Sequence, residues 1–310
     1  MSWQFLQSAQ SAFGSDPTVV LVALAAAIVN GAIGYGFSTL LVPVALLFYP
    51  SQVLNPGLVL AEIALNLMAV LMNRHGIPRV FRRILPMLIG SLPGIAFGIF
   101  FLKTTSADSL RLITFVVLLP LVLLQAAGFR RPLRPGSPVE VPAGFAIGVL
   151  YSCTTISGPP LGLLFNNQGL ARDDFRAAMS LFRVTQSVVT SLGYLGLSIY
   201  SPQSVSLSLT ILPCILVGIP LGRLLVRALD AESFRRLCMA FDAGLISFSL
   251  SRLLAVKNYL PGALAYAPMG LVALINLRLL YSYFRQRSRP ESPLEPPHQA
   301  PAAAAQENSA

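Results

Sequence analysis

The sequence predicts an all-α, polytopic membrane protein made of two inverted-topology repeats, each opening on a broken helix or hairpin. Three observations predict it: apolar blocks of spanning length, basic residues confined between those blocks, and self-similarity at a nearly fixed offset. Apolar residues make up 55% of the 310 and charged residues only 11%, against about 25% charged in a soluble domain. A water-soluble core of this size has no use for so much apolar surface, whereas a bilayer does. A helix needs about 20 largely apolar residues to cross a hydrocarbon core of roughly 30 Å.

The blocks follow in order. Residues 1–17 form an N-terminal segment without a basic n-region, so it does not read as a cleavable signal; Trp3 and Phe5 suit an interfacial turn. The first transmembrane repeat occupies residues 18–128. Glu62 is its one charge between Thr18 and Asn73, and Ile84–Leu102 and Leu112–Phe129 are uncharged. A basic linker follows at 129–140, and the second repeat occupies 141–254. There, Val141–Ala171 is uncharged, Ala177–Val226 carries only Arg183 and Arg223, and Leu237–Ser251 carries only Asp242. An extra helix is expected at 262–283. The Pro- and Ala-rich remainder, 284–310, is expected to be a disordered cytoplasmic tail.

The halves are related by an offset of 117, the distance from Gly31 to Gly148. The same offset carries Pro43 onto Pro160, Leu46-Leu47-Phe48 onto Leu163-Leu164-Phe165, and Asn66 onto Arg183. After Asn73 the second half holds about seven extra residues and the offset becomes 124. Gly94 then falls on Gly218, Gly98 on Gly222, and Asp108–Arg111 on Glu232–Arg235. Internal symmetry of this kind is characteristic of transporters.

The formal charge of +10 does not point to nucleic acid. The arginines cluster between apolar blocks, at 74–83, 130–134 and 278–289, as in cytoplasmic loops that fix orientation. With those loops inside, the N-terminus is expected outside and the C-terminus in the cytoplasm of a multi-pass inner-membrane protein. The uncharged loop Tyr200–Ser204 is then external. This works only if each half begins with a hairpin. Thr18–Tyr49 as one straight helix would be about 48 Å long, too long for tilt to absorb. The breaks are expected at Gly31–Thr39 and Ser152–Pro160, which places the halves in opposite senses.

These breaks are the first candidate site. Unwound backbone at membrane depth survives only where it lines a cavity or is buried in protein. The helix that resumes after each break offers free N–H groups and the positive end of its dipole. Gly34, Gly36, Ser38 and Thr39 at one break, with Thr154, Thr155, Ser157 and Gly158 at the other, suit a small anion. The alternative is that these small residues only allow tight packing, the role expected of Gly90, Gly94 and Gly98. Arg183 is the next candidate, because a guanidinium fork matches oxyanions in two-point contact. Gln186 lies a turn further on, and Asn66 is the repeat counterpart of Arg183. The alternative is that Arg183 pairs structurally with Glu62 or Asp242. Desolvation disfavours a carboxylate's charge, so Glu62 and Asp242 are candidates to carry a coupling proton. Arg223, near a helix end, is expected to reach the interface. Three scattered cysteines and two distant histidines give no disulfide framework or metal set. No cofactor is expected.

The chain resembles the sulfite exporter TauE/SafE family. In each half the resemblance rests on a Gly-rich break followed by Pro, a Gly-xxx-Gly helix, and an acidic-Ser-apolar-Arg helix start. These are Gly34-Tyr35-Gly36 with Pro43, Gly94 with Gly98, and Asp108–Arg111; then Gly158-Pro159-Pro160, Gly218 with Gly222, and Glu232–Arg235. The resemblance spans about residues 20–255 and implies a carrier of sulfite, sulfonates and related anions. The expectation is an alternating-access secondary transporter for sulfite or an organosulfonate. Its partners are a small anion and the lipid bilayer, with no nucleic acid and with a homo-oligomer left open. An ion channel or a carrier of another small solute is the alternative. A membrane-embedded enzyme is less favoured, because no His, Asp or Cys cluster marks one face.

Overall fold

The computed structural model describes residues 17–127, 138–225 and 231–287. The regular elements among them are all helical. They are α1 (Pro17–Ile33), α2 (Phe37–Ala45), α3 (Ser51–Met72), α4 (Ile77–Thr104), α5 (Ala107–Ala126), α6 (Glu140–Thr154), α7 (Gly158–Asn167), α8 (Arg172–Gly196), α9 (Pro202–Leu225), α10 (Ala231–Val256) and α11 (Ala267–Arg287). The expected N-terminal turn at Trp3 and Phe5, the arginines at 130–134, and the tail beyond 287 lie outside the described residues.

Six stretches, on α3, α4, α5, α9, α10 and α11, are long and apolar enough to cross a membrane. Their exposed side chains include Ile89, Phe100, Val116, Leu216, Phe241 and Leu274, which suits contact with lipid. The opposite pattern occurs on α8. Ser180, Arg183, Gln186, Ser187, Thr190 and Tyr194 are buried, while Leu192 and Leu195 face outward. A polar inner stripe lowers the mean hydropathy of α8, so hydropathy alone passes over a helix that lies against both α3 and α4.

Both expected breaks are present, and they are short. Gly34 (φ 97°) and Gly36 (φ 108°) separate α1 from α2, and Thr155 (φ 59°) closes α6 before α7. Positive φ comes readily to glycine; for a β-branched threonine it is an outlier. Nine-residue α2 spans about 14 Å and ten-residue α7 about 15 Å. Neither can cross the hydrocarbon, so each returns only part-way.

The halves pack reciprocally. α4 lies along α6, and α9 lies along α1. A Cβ on Gly94 would strike the Phe145 carbonyl, and one on Gly98 would meet Val149. A Cβ on Gly222 would strike Ile28 and Ala32, while one on Gly31 would strike Ile219 and one on Gly148 would meet Ile95. Under the two offsets these are the same contacts with the halves exchanged. Such small residues allow backbone-to-backbone approach, the main source of helix association in lipid. Gly94→Leu is therefore expected to abolish the monodisperse peak in fluorescence-detected size exclusion. Gly196→Ala, where a Cβ meets nothing within 4 Å, should behave as wild type. A monodisperse Gly94→Leu protein would contradict this packing.

The directions of the helices also follow from contacts. Gly57, near the start of α3, lies against the Ser204 carbonyl at the start of α9, and Gly76, just past the end of α3, lies against Ala177 of α8. α9 begins where α8 ends, so the equivalent helices α3 and α8 run oppositely. One end of the bundle carries Arg74, His75, Arg79, Arg82 and Arg83, with Arg79 paired to Asp174 at 2.8 Å. At the other end Lys257 pairs with Asp108 at 2.5 Å, and Arg111 donates to the Tyr49 carbonyl at 2.9 Å. Tyr200, in the turn between α8 and α9, shares a 2.7 Å hydrogen bond with Ser191. Burial raises its pKa, so the phenol stays protonated at neutral pH.

Candidate functional site

Five helices converge on one buried ion pair. Glu62 of α3 is fully buried and so is Arg183 of α8, at 0% and 3% exposure. The Arg183 Nη2 donates to Glu62 Oε1 at 3.1 Å, and its Nη1 donates to Asn30 Oδ1 of α1 at 3.1 Å. The Tyr151 hydroxyl of α6 donates to Glu62 Oε2 at 2.8 Å, and the Ser38 hydroxyl of α2 donates to Oε1. A buried ion pair survives only when such extra bonds meet its remaining donors and acceptors. Arg183 Nε has no partner, so the fork is not saturated.

Asn66 donates to the Arg183 carbonyl at 3.4 Å and to the Ser187 hydroxyl at 3.5 Å. Asn66 and Arg183 are counterparts under the offset of 117. Two positions matched by that offset therefore touch one another beside the ion pair. Local sequence explains the convergence. Asn30 is in the last turn of α1 and Ser38 in the first turn of α2, flanking the glycine break; Tyr151 is in the last turn of α6, before the second break.

Of the sequence candidates, Ser38, Glu62, Asn66 and Arg183 come together here. The second break does not join them through its side chains. Thr154 Oγ1 donates to the Leu150 carbonyl at 2.7 Å and caps the Ile156 N–H at 3.2 Å. Thr155 Oγ1 donates to the Thr154 carbonyl at 2.6 Å. Ser157 Oγ is buried without a partner, and Thr39 is buried. Gly34 and Gly36 supply backbone conformation. Tyr35 packs its ring on Gly158, and its hydroxyl accepts from Gln125 at 2.7 Å. The breaks therefore meet across an aromatic ring. Gln186 donates to the Ile147 carbonyl at 3.5 Å while its carbonyl oxygen has no partner.

Two expectations need correction. Of the two partners offered for Arg183, Asp242 is not the one: it is fully buried on α10, and both its oxygens lack partners. Its helix packs on α5, α11 and the re-entrant α2, away from α8. The loop expected at Tyr200–Ser204 is shorter, because α9 already begins at Pro202, and Ser204 is buried in its first turn, sharing a 2.9 Å hydrogen bond with Ser201.

Beneath the ion pair is a cavity. Asn30, Gly34, Asn73, Arg176, Ser180 and Arg223 are among the residues that line it. Asn30 thus touches both cavity and ion pair. Arg223, expected at the interface, is half-buried in the cavity wall. Asn30, Tyr151 and Arg176 were missed in the sequence reading. The available signal was their position: Asn30 and Tyr151 each lie one turn before a break, and Arg176 lies two turns before Arg183 on the polar stripe.

The family model for the sulfite exporter TauE/SafE matches residues 19–250, nearly all of both halves. The chain belongs to the TauE/SafE sulfite exporter family. It is a multi-pass membrane transporter of that family. No curated protein and no solved structure matches it. The TauE/SafE match takes in all five helices that build the ion-pair network and ends within α10, leaving α11 beyond it.

Proposed function

We propose that this chain is an alternating-access secondary carrier for sulfite or an organosulfonate, with Arg183 as the anion-binding group and Glu62 as its exchangeable partner. The carrying observation is the Glu62–Arg183 pair itself, buried among α1, α2, α3, α6 and α8. Glu62 occupies the guanidinium in the structure. A sulfur oxyanion presents a comparable pair of acceptor oxygens and competes for the same fork. A proton arriving on Glu62 releases Arg183 to the anion. When Glu62 is protonated, one of the two hydroxyls, Ser38 or Tyr151, can accept from the acid O–H while the other goes on donating to the carbonyl oxygen. Protonation and anion binding are then linked, and with a singly charged anion the site carries no extra net charge when loaded. Asp242 is a second proton-carrying candidate, on the helix that supports the re-entrant α2 through Ser249 and the Pro43 carbonyl at 3.0 Å.

The proposal places the halves as inverted repeats, supported by their reciprocal packing and by the opposed directions of α3 and α8. It places the arginine-rich end in the cytoplasm of a cell's inner membrane, following the positive-inside pattern. The cavity then opens inward. Cysteine labelling tests this orientation: the exposed Gln203→Cys should react with an impermeant maleimide from outside, and the exposed His75→Cys only after permeabilisation. The reverse pattern would overturn the orientation.

Counterflow separates this carrier from a channel. Proteoliposomes preloaded with unlabelled sulfite should accumulate labelled sulfite transiently above its external concentration. Equilibration without overshoot would overturn the carrier reading.

A further inference from the structure

We propose that the cavity below the ion pair is a separate anion-loading site, and that Arg223 makes it select doubly charged over singly charged sulfur oxyanions. This rests on the carrier reading above and adds a second site and a charge class to it. The cavity lining contains two guanidiniums, Arg176 and Arg223, and no carboxylate. Neutral donors accompany them: the Asn30 and Asn73 side chains and the Ser180 hydroxyl. The groups come from four long helices. Asn30 is on α1, Asn73 caps α3, Arg176 and Ser180 are on α8, and Arg223 is on α9.

Chemistry favours an anion here over a neutral solute or a cation. Arg176 Nη2 is anchored to the Ala32 carbonyl at 3.0 Å, which holds its positive charge at the broken end of α1. Arg223 projects from the last turn of α9 into the same cavity. Two guanidiniums lining one small space, one of them anchored, attract a second ligand charge more than a single guanidinium does. Asn30 forms the roof. It gives its side-chain oxygen to Arg183 and lines the cavity, so an anion loaded here lies one residue from the central fork. The loading site concentrates the substrate, and the central site carries it.

Arg223 also has a competing structural role. A cation in the last turn of a helix is favourable against the negative end of the dipole. That role affects stability and would not alter discrimination between ligand charges. The test therefore reads discrimination. Labelled-sulfite flux is measured from the cavity face of oriented proteoliposomes, with sulfate or methanesulfonate as inhibitor. The two probes present similar oxygens and differ by one charge.

In Arg223→Gln the ratio of the two inhibition constants is expected to move by about tenfold toward methanesulfonate, the scale of one lost charge contact. Arg223→Lys, which keeps the charge, should hold the wild-type ratio within about twofold. An unchanged ratio in Arg223→Gln, with normal sulfite flux, would overturn the loading site and leave the carrier standing. Failure of both probes to inhibit wild-type flux would also overturn it. Absence of sulfite flux in the wild type would overturn the carrier reading on which the site depends. A fall in thermal stability of Arg223→Gln with no shift in ratio would assign Arg223 to the helix terminus alone.

Discussion

Arg183→Ala is expected to abolish saturable sulfite flux in proteoliposomes, a loss of at least about a hundredfold if the fork supplies two charge-assisted bonds to the anion. The substitution also leaves Glu62 buried at 0% exposure with only the Ser38 and Tyr151 hydroxyls as partners. Breaking a buried pair by removing one member costs about 3–5 kcal/mol, so lost flux alone would not separate binding from folding. The double variant Glu62→Gln with Arg183→Gln removes both charges and restores a neutral hydrogen-bonded pair. It should recover thermal stability to near wild type and remain without flux. Arg183→Lys keeps the charge but loses the planar fork, and its flux should fall by about tenfold. Stable Arg183→Ala protein with normal flux would remove Arg183 from the mechanism.

The second large effect is at Glu62. Glu62→Gln keeps the shape of the side chain, and its amide oxygen can still accept from Arg183, but it no longer binds or releases a proton. With its anionic competitor gone, Arg183 is more available. The expected result is a variant that still exchanges internal for external sulfite, with an apparent affinity at least as high as wild type. It should no longer accumulate anion in response to a pH gradient. In the wild type an inward proton gradient should drive uptake, because the proton that neutralises Glu62 arrives from the more acidic side. Gradient-driven accumulation that persists in Glu62→Gln would move the coupling role to Asp242, where Asp242→Asn is the matching test.

Much of this was readable in the chain. The breaks at Gly34–Gly36 and Thr155 were marked by glycine, small hydroxyl residues and the following prolines, because unwound backbone at membrane depth demands them. The close contacts of Gly94, Gly98, Gly218 and Gly222 were announced by four-residue spacing. Arg183 and Glu62 stood out as charges in apolar stretches. Their pairing to one another was one of the readings left open, since no local signal relates positions 121 residues apart. Asn30 and Tyr151 were missed because a single amide or phenol in an apolar helix costs little and carries no period. The loaded role given to Thr154 and Thr155 ran into local chemistry. Hydroxyls near the end of a helix readily bond to carbonyls of their own turn, and both did so. Tyr35 stands between the two glycines of the first break, and in three dimensions its ring fills the gap between the two breaks.

The most direct test of the central claim is proton uptake on anion binding. Purified protein is titrated calorimetrically with an organosulfonate that does not itself titrate near neutrality, in buffers of differing ionisation enthalpy. If an anion takes Arg183 as a proton takes Glu62, wild-type protein should absorb about one proton per anion bound, and Glu62→Gln none. Binding without proton uptake in the wild type, or unchanged uptake in Glu62→Gln, would contradict the exchange at the heart of the proposed mechanism.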